Sequence, residues 1–332
     1  MTAAGEAVAV SAQVRRVLAP NPSVFTGPGT NTYVVGAVAP FTVIDPGPAD
    51  DGHVEAILAI APDVGAIVVT HTHRDHSPGA ARLAAATGAP VAGFGPMLRP
   101  AIEGHDDTFR PDRVLADGGV VEGPDHRLVA LHTPGHASNH LCFLLDAGSE
   151  RVLFTGDHVM EGSTVVIAPL DGDMAEYLGQ LERVRDLGVD RLLPGHGDPI
   201  DDPRSYVQAY LDHRATRTAT ILAALAAAGP GGATCTDLVE RAYTDVAPDL
   251  HPIAVYSTWA TLRAAPSAVA ADPDEALPRP AVAVAGELEG AELAEPARQV
   301  AGRELAPGPQ EMSRPKAFPE EPRPSGASAG SQ

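Results

Sequence analysis

Cysteine is nearly absent from this sequence, with Cys142 and Cys235 the two examples in 332 residues. They stand far apart in apolar or mixed surroundings, which argues against a disulfide framework or a thiolate zinc site and favours a reducing, cytoplasmic setting. No apolar run reaches membrane-spanning length, because charge or proline interrupts the alanine-rich stretches. The opening residues, Met1-Thr2-Ala3-Ala4-Gly5-Glu6, lack the positive start and apolar core of a signal peptide. Positive charge is scarce as well: 23 Lys and Arg face 43 Asp and Glu, for a net charge of −20 with histidines neutral. So acidic a chain repels polyanions at long range, which disfavours nucleic acid as a partner while leaving room for a local basic groove.

What is present begins with 44% hydrophobic residues, enough for a real core in one large domain or two smaller ones. The most informative stretch is Ala66-Ile67-Val68-Val69-Thr70-His71-Thr72-His73-Arg74-Asp75-His76. A β-branched run that ends in three histidines and an aspartate is poorly explained by packing. In extended chain, alternate side chains share a face, so His71, His73 and Asp75 are expected to point the same way, with His76 opening the next turn. Imidazole and carboxylate are the ligands that a borderline divalent metal prefers.

Along the chain, Ala7 to Leu18 reads as a strand. Tyr33–Gly36 and Phe41–Ile44 read as a hairpin closed by Asp45-Pro46-Gly47, and Asp51–Ala61 as a helix. Ser77-Pro78 offers an N-cap and first helical position for a helix over Gly79–Thr87 that Gly88 stops. Three further strands then end on a ligand-type residue beside glycine. Arg127–Gly135 leads to His136, Arg151–Gly156 to Asp157, and Arg191–Gly195 to His196. Such repetition places a site at one edge of stacked sheets. Met174–Leu187 is an amphipathic helix, and residues 205–265 form a small helical segment. From Pro266 onward, eleven prolines in 67 residues predict a disordered tail, 266–332.

The strand-end set of His71, His73, Asp75, His76, His136, Asp157 and His196 exceeds what one tetrahedral zinc needs. It suits two adjacent divalent metals sharing a carboxylate, which would activate water without a serine or cysteine nucleophile. Zn2+ is the first expectation, with iron or manganese as alternatives.

The motifs Thr70-His71-Thr72-His73-Arg74-Asp75-His76, Thr133-Pro134-Gly135-His136, Gly156-Asp157 and Pro194-Gly195-His196-Gly197 resemble, in order, those of the metallo-β-lactamase superfamily. That resemblance implies an α/β fold, a four-layer αββα sandwich over residues 1–204. It also implies one metal on His71, His73 and His136, the other on Asp75, His76 and His196, and Asp157 bridging. Asp75 and Asp157 would be the catalytic carboxylates.

The segments Asn21–Tyr33, Glu161–Thr164 and Tyr210–Arg217 further resemble the beta-lactamase-like protein 2 group. In that group a winged-helix-like domain follows, here residues 205–265, although the Pro/Ala-rich tail begins where a wing hairpin is expected. The group implies either a glyoxalase-II-like hydrolase of a thioester or other small ester, or a single-strand endoribonuclease. A non-catalytic binding protein is a third reading. For the ribonuclease, Arg214, Arg217 and Arg263 are the available cations.

Asn31, Tyr33, His140, Tyr177 and His213 are candidate substrate contacts. His53, His105, His126, His132 and His251 have no ligand partners in the sequence and read as structural. The partner expected is a small acyl substrate, bound by a monomer or homodimer without a membrane.

Overall fold

A computed structural model describes residues 4–98, 104–146 and 150–265, so the segment 266–332 expected to be disordered lies outside the described residues. Seven strands form the first sheet in chain order: β1 (Ala7–Ala9), β2 (Val14–Leu18), β3 (Asn31–Val35), β4 (Phe41–Ile44), β5 (Val64–Val68), β6 (Val91–Gly93) and β7 (Arg113–Val114). The second sheet has β8 (Val120–Glu122), β9 (Arg127–His132), β10 (Leu141–Asp146), β11 (Arg151–Gly156) and β12 (Arg191–Pro194), in the order β12-β11-β10-β9-β8. Helices α1 (Asp51–Ile60) and α2 (Gly79–Thr87) cross between parallel strands of the first sheet. After them come α3 (Met174–Arg185), α4 (Pro203–Ala227), α5 (Cys235–Ala242) and α6 (His251–Ala264).

Strand periodicity explains the layers. In β10, Leu141, Phe143 and Leu145 enter the inter-sheet core, while Cys142 and Leu144 face the outer helices. Strand β11 repeats the pattern, with Val152 and Phe154 inside and Leu153 outside. From the first sheet, Tyr33, Val35, Ile44 and Val68 meet the same inner core, while Val34, Val43 and Ile67 pack against Val54 and Ile57 of α1 and Leu83 of α2. Both faces of the central strands are therefore covered, so they read as continuous apolar runs. Each large apolar side chain fully buried this way contributes about 1.5–3 kcal/mol. The result is the expected four-layer αββα sandwich.

Two local expectations are corrected. The stretch 7–18 is a hairpin, with Ala7 opposite Val17. The chain turns where Val10 N and Ser11 N both reach Val14 O and Gln13 N donates to Ser11 Oγ. Ser77 does not cap α2, since its hydroxyl donates to Asp106 Oδ2 at 2.9 Å. The helix stop does lie at Gly88, in the left-handed conformation (φ 73°).

The last three helices are tied to the sandwich at one end. Val207 and Tyr210 of α4 and Ala260 of α6 join the outer core of the second sheet, beside Tyr177 and Leu181 of α3. Farther along, Ile221 of α4 packs with Leu238, Val239 and Ala242 of α5 and Leu262 of α6 in a smaller core. Among the described residues no strand follows β12, and no helix is long and apolar enough to cross a membrane.

His53 of α1 is buried behind β3, its Nε2 at 2.8 Å from Thr32 Oγ1. Burial lowers its pKa to about 4, although Asp50 pulls the other way. An unfolded-chain histidine titrates near 6.5, so between these two values the unfolded state holds more protons and stability must fall as pH falls. We expect His53 to remove about 3 kcal/mol between about pH 6.5 and about pH 4 and nothing above that window. Denaturant unfolding of the wild type and His53→Gln across pH 4–8 checks this: the variant should lose that share of the acid slope.

Candidate metal centre

The strand β5 ends at Val68, and the backbone then turns over 73–76, where His76 N donates to His73 O at 3.0 Å. This turn corrects the expectation of one shared face. His71 and His73 converge with His136 and Asp157, whereas Asp75 swings to the other side and converges with His76 and His196. His136 follows β9, Asp157 follows β11 and His196 follows β12, so the second sheet supplies the remaining three ligand-type residues. All seven residues singled out in the sequence thus lie in two adjoining groups. The Asp157 carboxylate spans them: Oδ2 is 3.9 Å from His71 Nε2 and 3.6 Å from His136 Nε2, and Oδ1 is 3.3 Å from both His76 Nε2 and His196 Nε2.

Glycine is required at two of these strand ends. Gly135 has φ 136°, and a Cβ there would lie 2.4 Å from the Tyr177 backbone. Gly156 has φ 47°, and a Cβ would lie 2.7 Å from Thr70 Oγ1 and 2.8 Å from His140 Nε2. Both positions exclude any side chain without displacing the site.

The outward ring nitrogens are each held by a partner that fixes the tautomer. His136 Nδ1 donates to Val166 O at 2.8 Å, His196 Nδ1 to Gly29 O at 3.3 Å, and His76 Nδ1 to Asp45 Oδ2 at 2.8 Å. Thr70 Oγ1 donates to Asp45 Oδ2, so at 3.0 Å it accepts from His71 Nδ1. Each of these four rings then turns Nε2 inward. They meet the acceptor-only carboxylates of Asp75 and Asp157, and Asp157 Oδ1 is buried with no hydrogen-bond partner. Imidazole nitrogens and carboxylate oxygens converge here at 2.8–3.9 Å, and that donor set fits a divalent metal.

Charge follows the same geometry. Burial, reinforced by neighbouring imidazoles, holds the His71 and His73 pKa values well below the ordinary range. At His76 burial also lowers the pKa, but Asp75, Asp157 and Asp45 override it and raise the value well above 6.5. At His196, Asp157 and Asp75 likewise overcome burial and lift the pKa to about 9. Burial raises Asp75 and Asp157, yet His76 and His196 hold both carboxyls well below the usual range.

The candidate substrate contacts fall mostly behind the cluster. Asn31 and Tyr33, expected at the mouth, are buried: Asn31 Nδ2 donates to Pro194 O and Gly197 O at 2.9 and 2.8 Å, and Tyr33 Oη to Pro194 O at 2.8 Å. They clamp the loop that carries His196. His140 is fully buried and corrected likewise, its Nε2 accepting from Asp157 N at 3.2 Å while Nδ1 meets Thr133 Oγ1 at 2.9 Å. Tyr177 is buried under the Arg214 guanidinium and donates to His158 O at 2.9 Å. His213 is half-buried on α4, where burial and then Arg214 and Arg217 lower its pKa.

Two further residues belong to the centre. Asp45, which in the sequence only closes a hairpin, carries a single signal, a carboxylate at the end of an apolar strand like the ligands themselves. It is the one non-glycine residue with positive φ (48°) among the described residues. His105, which the sequence reads as structural, has its ring 4.4 Å from that of His73. It lines a cavity of about 380 Å³ with Arg74, Pro78, Asp106, Asp107 and Thr108, bordering the His73–Asp75 turn.

Two stacked sheets with outer helices, and a His/Asp cluster where the strands end, define a protein of metallohydrolase type. The family model described as "Metallo-beta-lactamase superfamily" matches residues 25–196, and the chain belongs to that superfamily, whose members are typically metal-dependent hydrolases. An atrochrysone carboxyl ACP thioesterase of Aspergillus chevalieri is 32% identical over 73% of this chain and 76% of its own. The beta-lactamase-like protein 2 homolog of Drosophila melanogaster is 30% identical over 75% of this chain and 86% of its own. Among solved structures, a metallo-beta-lactamase family protein of Thermus thermophilus superposes with a TM-score of 0.64 at 22% identity, covering 78% of this chain and 95% of that one. A beta-lactamase domain protein of Burkholderia ambifaria gives 0.66 at 19%, covering 81% and 90%. Both show the fold.

Asp45→Ala should weaken metal binding about 10–100-fold by releasing the outward nitrogen of His76 and, through Thr70, that of His71. Competition with a chromophoric chelator measures this, and unchanged affinity would remove Asp45 from the centre.

Proposed function

We propose that this chain is a dinuclear metal-dependent hydrolase of thioesters or other small carboxylic esters, with zinc as its first-choice metal and iron or manganese as alternatives. The observation that carries this reading is the Asp157 carboxylate, whose two oxygens face two separate ligand groups. When bound, the metals supply a water whose pKa is lowered from about 15.7 towards 7 and polarise the substrate oxygen.

The chain's own residues do the rest. Asp157 and the four oriented imidazoles hold the charges in place before substrate arrives. Asp75, with 25% of its side chain exposed against 11% for Asp157, is the more open carboxylate. It therefore serves as the group that orients the nucleophile and receives its proton. Arg74, which stands between His73 and Asp75 in the chain, lines the cavity, and we assign that side to substrate entry.

The thioester preference is supported by the acidic surface and by the thioesterase relative. The ribonuclease alternative depended on free cations near the mouth. Arg214 is buried against Val165 O, Arg217 pairs with Asp245 and bonds Ala242 O, and Arg263 donates to Pro169 O. Each already has a partner within the chain, with Arg214 buried, Arg217 half-buried and Arg263 exposed, which weighs against that alternative. The convergence of seven ligand-type side chains weighs against a metal-free binding protein, and two free thiols accord with a reducing cytoplasm.

A panel of S-lactoylglutathione, an acyl-pantetheine thioester, a simple ester and single-stranded RNA tests the proposal. Thioester hydrolysis should be lost on chelation and restored by zinc, and Asp75→Asn should lower kcat/KM by about 10²–10⁴-fold. His71→Ala should lower activity together with metal content. Cleavage of RNA alone, with thioesters untouched, would overturn the substrate assignment.

A further inference from the structure

The segment 163–169 has neither helix nor strand, yet Val165 and Ile167 are buried in the outer core of the second sheet. Its backbone is instead held by side chains from the C-terminal helices. Tyr210 Oη accepts from Val165 N at 3.1 Å and donates to Ser163 O at 2.7 Å. Arg214 Nη2 donates to Val165 O, Ser257 Oγ accepts from Ile167 N at 3.3 Å, and Arg263 Nη1 donates to Pro169 O at 3.0 Å. Tyr206 Oη accepts from Gly162 N at 2.9 Å. Tyr206, Tyr210 and Arg214 are spaced four apart, so they form one stripe along α4.

Between the two strapped residues lies Val166, and its carbonyl accepts from His136 Nδ1 at 2.8 Å. This bond leaves His136 Nε2 bare and aimed at His73 Nδ1, 3.0 Å away. A carbonyl in an irregular segment holds a ring in place only if its own backbone is fixed. Here the fixing groups come from α4 and α6, more than forty residues away along the chain.

We propose that Tyr210, Arg214 and Ser257 are positioning residues of the metal centre. They fix the 163–169 backbone so that Val166 O sets the tautomer and direction of His136. The C-terminal helices are then a working part of the centre and not an appendage to it. Arg214, 7% exposed with its guanidinium 5.3 Å from the Tyr177 ring centroid, is the buried charge that links strap, α3 and α4. The proposal rests on the metal-centre reading above but not on the choice of substrate.

The test measures metal binding. Zinc and cobalt affinities of the full chain are determined by chelator competition, and His136→Ala identifies the metal that depends on His136. Tyr210→Phe removes one oxygen and keeps the ring; Ser257→Ala and Tyr210→Phe/Arg214→Lys extend the series. Thr220→Ala, an exposed hydroxyl that bonds only within α4, is the control. The His136-dependent metal should weaken roughly 10–100-fold in Tyr210→Phe and further in the double variant. The other metal and the metal-free unfolding midpoint should stay near the control. Unchanged affinity in Tyr210→Phe and the double variant overturns the proposal, as does equal weakening of both metals in step with the unfolding midpoint. If the double variant does not fold, Tyr210→Phe decides alone. Failure to hydrolyse thioesters would leave this result untouched.

Discussion

The carboxylate of Asp45 is the constraint on which the centre depends. Oδ1 accepts from Thr70 N and Oδ2 from Thr70 Oγ1, both at 2.7 Å, while His76 Nδ1 reaches Oδ2 at 2.8 Å. Its backbone is used too, with Asp45 N donating to Val68 O and Asp45 O accepting from Thr32 Oγ1. One buried anion thereby joins the ends of β3, β4 and β5 to the outward faces of two ligand histidines. Positive φ at a non-glycine residue costs of order 1–3 kcal/mol, and the network of donors is what sustains it. Without this anchor the turn over 73–76 would have no fixed origin, and the division of its ligands between two groups would be lost.

Much of this was legible in the sequence because the ligands interrupt apolar strands. His136, Asp157 and His196 each follow an apolar run and a glycine, and the sandwich confines such residues to strand ends. The layers were legible for the same reason, since runs such as Leu141–Leu145 have no polar face. What escaped was set by partners distant in the chain. Asp45 gains meaning only from Thr70 and His76, 25 and 31 residues on. Asn31 and Tyr33 adjoin a polar stretch of mouth-like composition, but pairing of β3 with β2 and β4 buries them against the Pro194 carbonyl. The local signal of a turn at Ser11–Gln13 was too weak to break the 7–18 strand, and only pairing reveals it.

The treatment of charge is equally uneven. Acidic residues dominate the surface, while the few buried carboxylates stand beside histidines that offset them. Arg214 is buried onto Val165 O, Arg217 is half-buried beneath Asp245 and over Tyr243, and Arg263 is exposed beside Trp259. Buried guanidinium groups with backbone acceptors are structural rivets, costly to leave unpaired.

The division of ligands between the two sheets has a consequence for the folding of the chain. His71, His73, Asp75 and His76 belong to the end of β5, and the other three ligands to the second sheet. Inward nitrogens that meet across this divide are 63 residues apart for His73 and His136, and 120 apart for His76 and His196. A cation shared by either pair closes a long loop and acts as a removable cross-link between the two sheets, added to their apolar packing and to bonds such as Asn31 Nδ2 to Pro194 O. Such links gain most where the loop is longest. Loss of metal would then loosen the seam between the sheets as well as empty the centre, making metal supply a determinant of how long the folded chain survives.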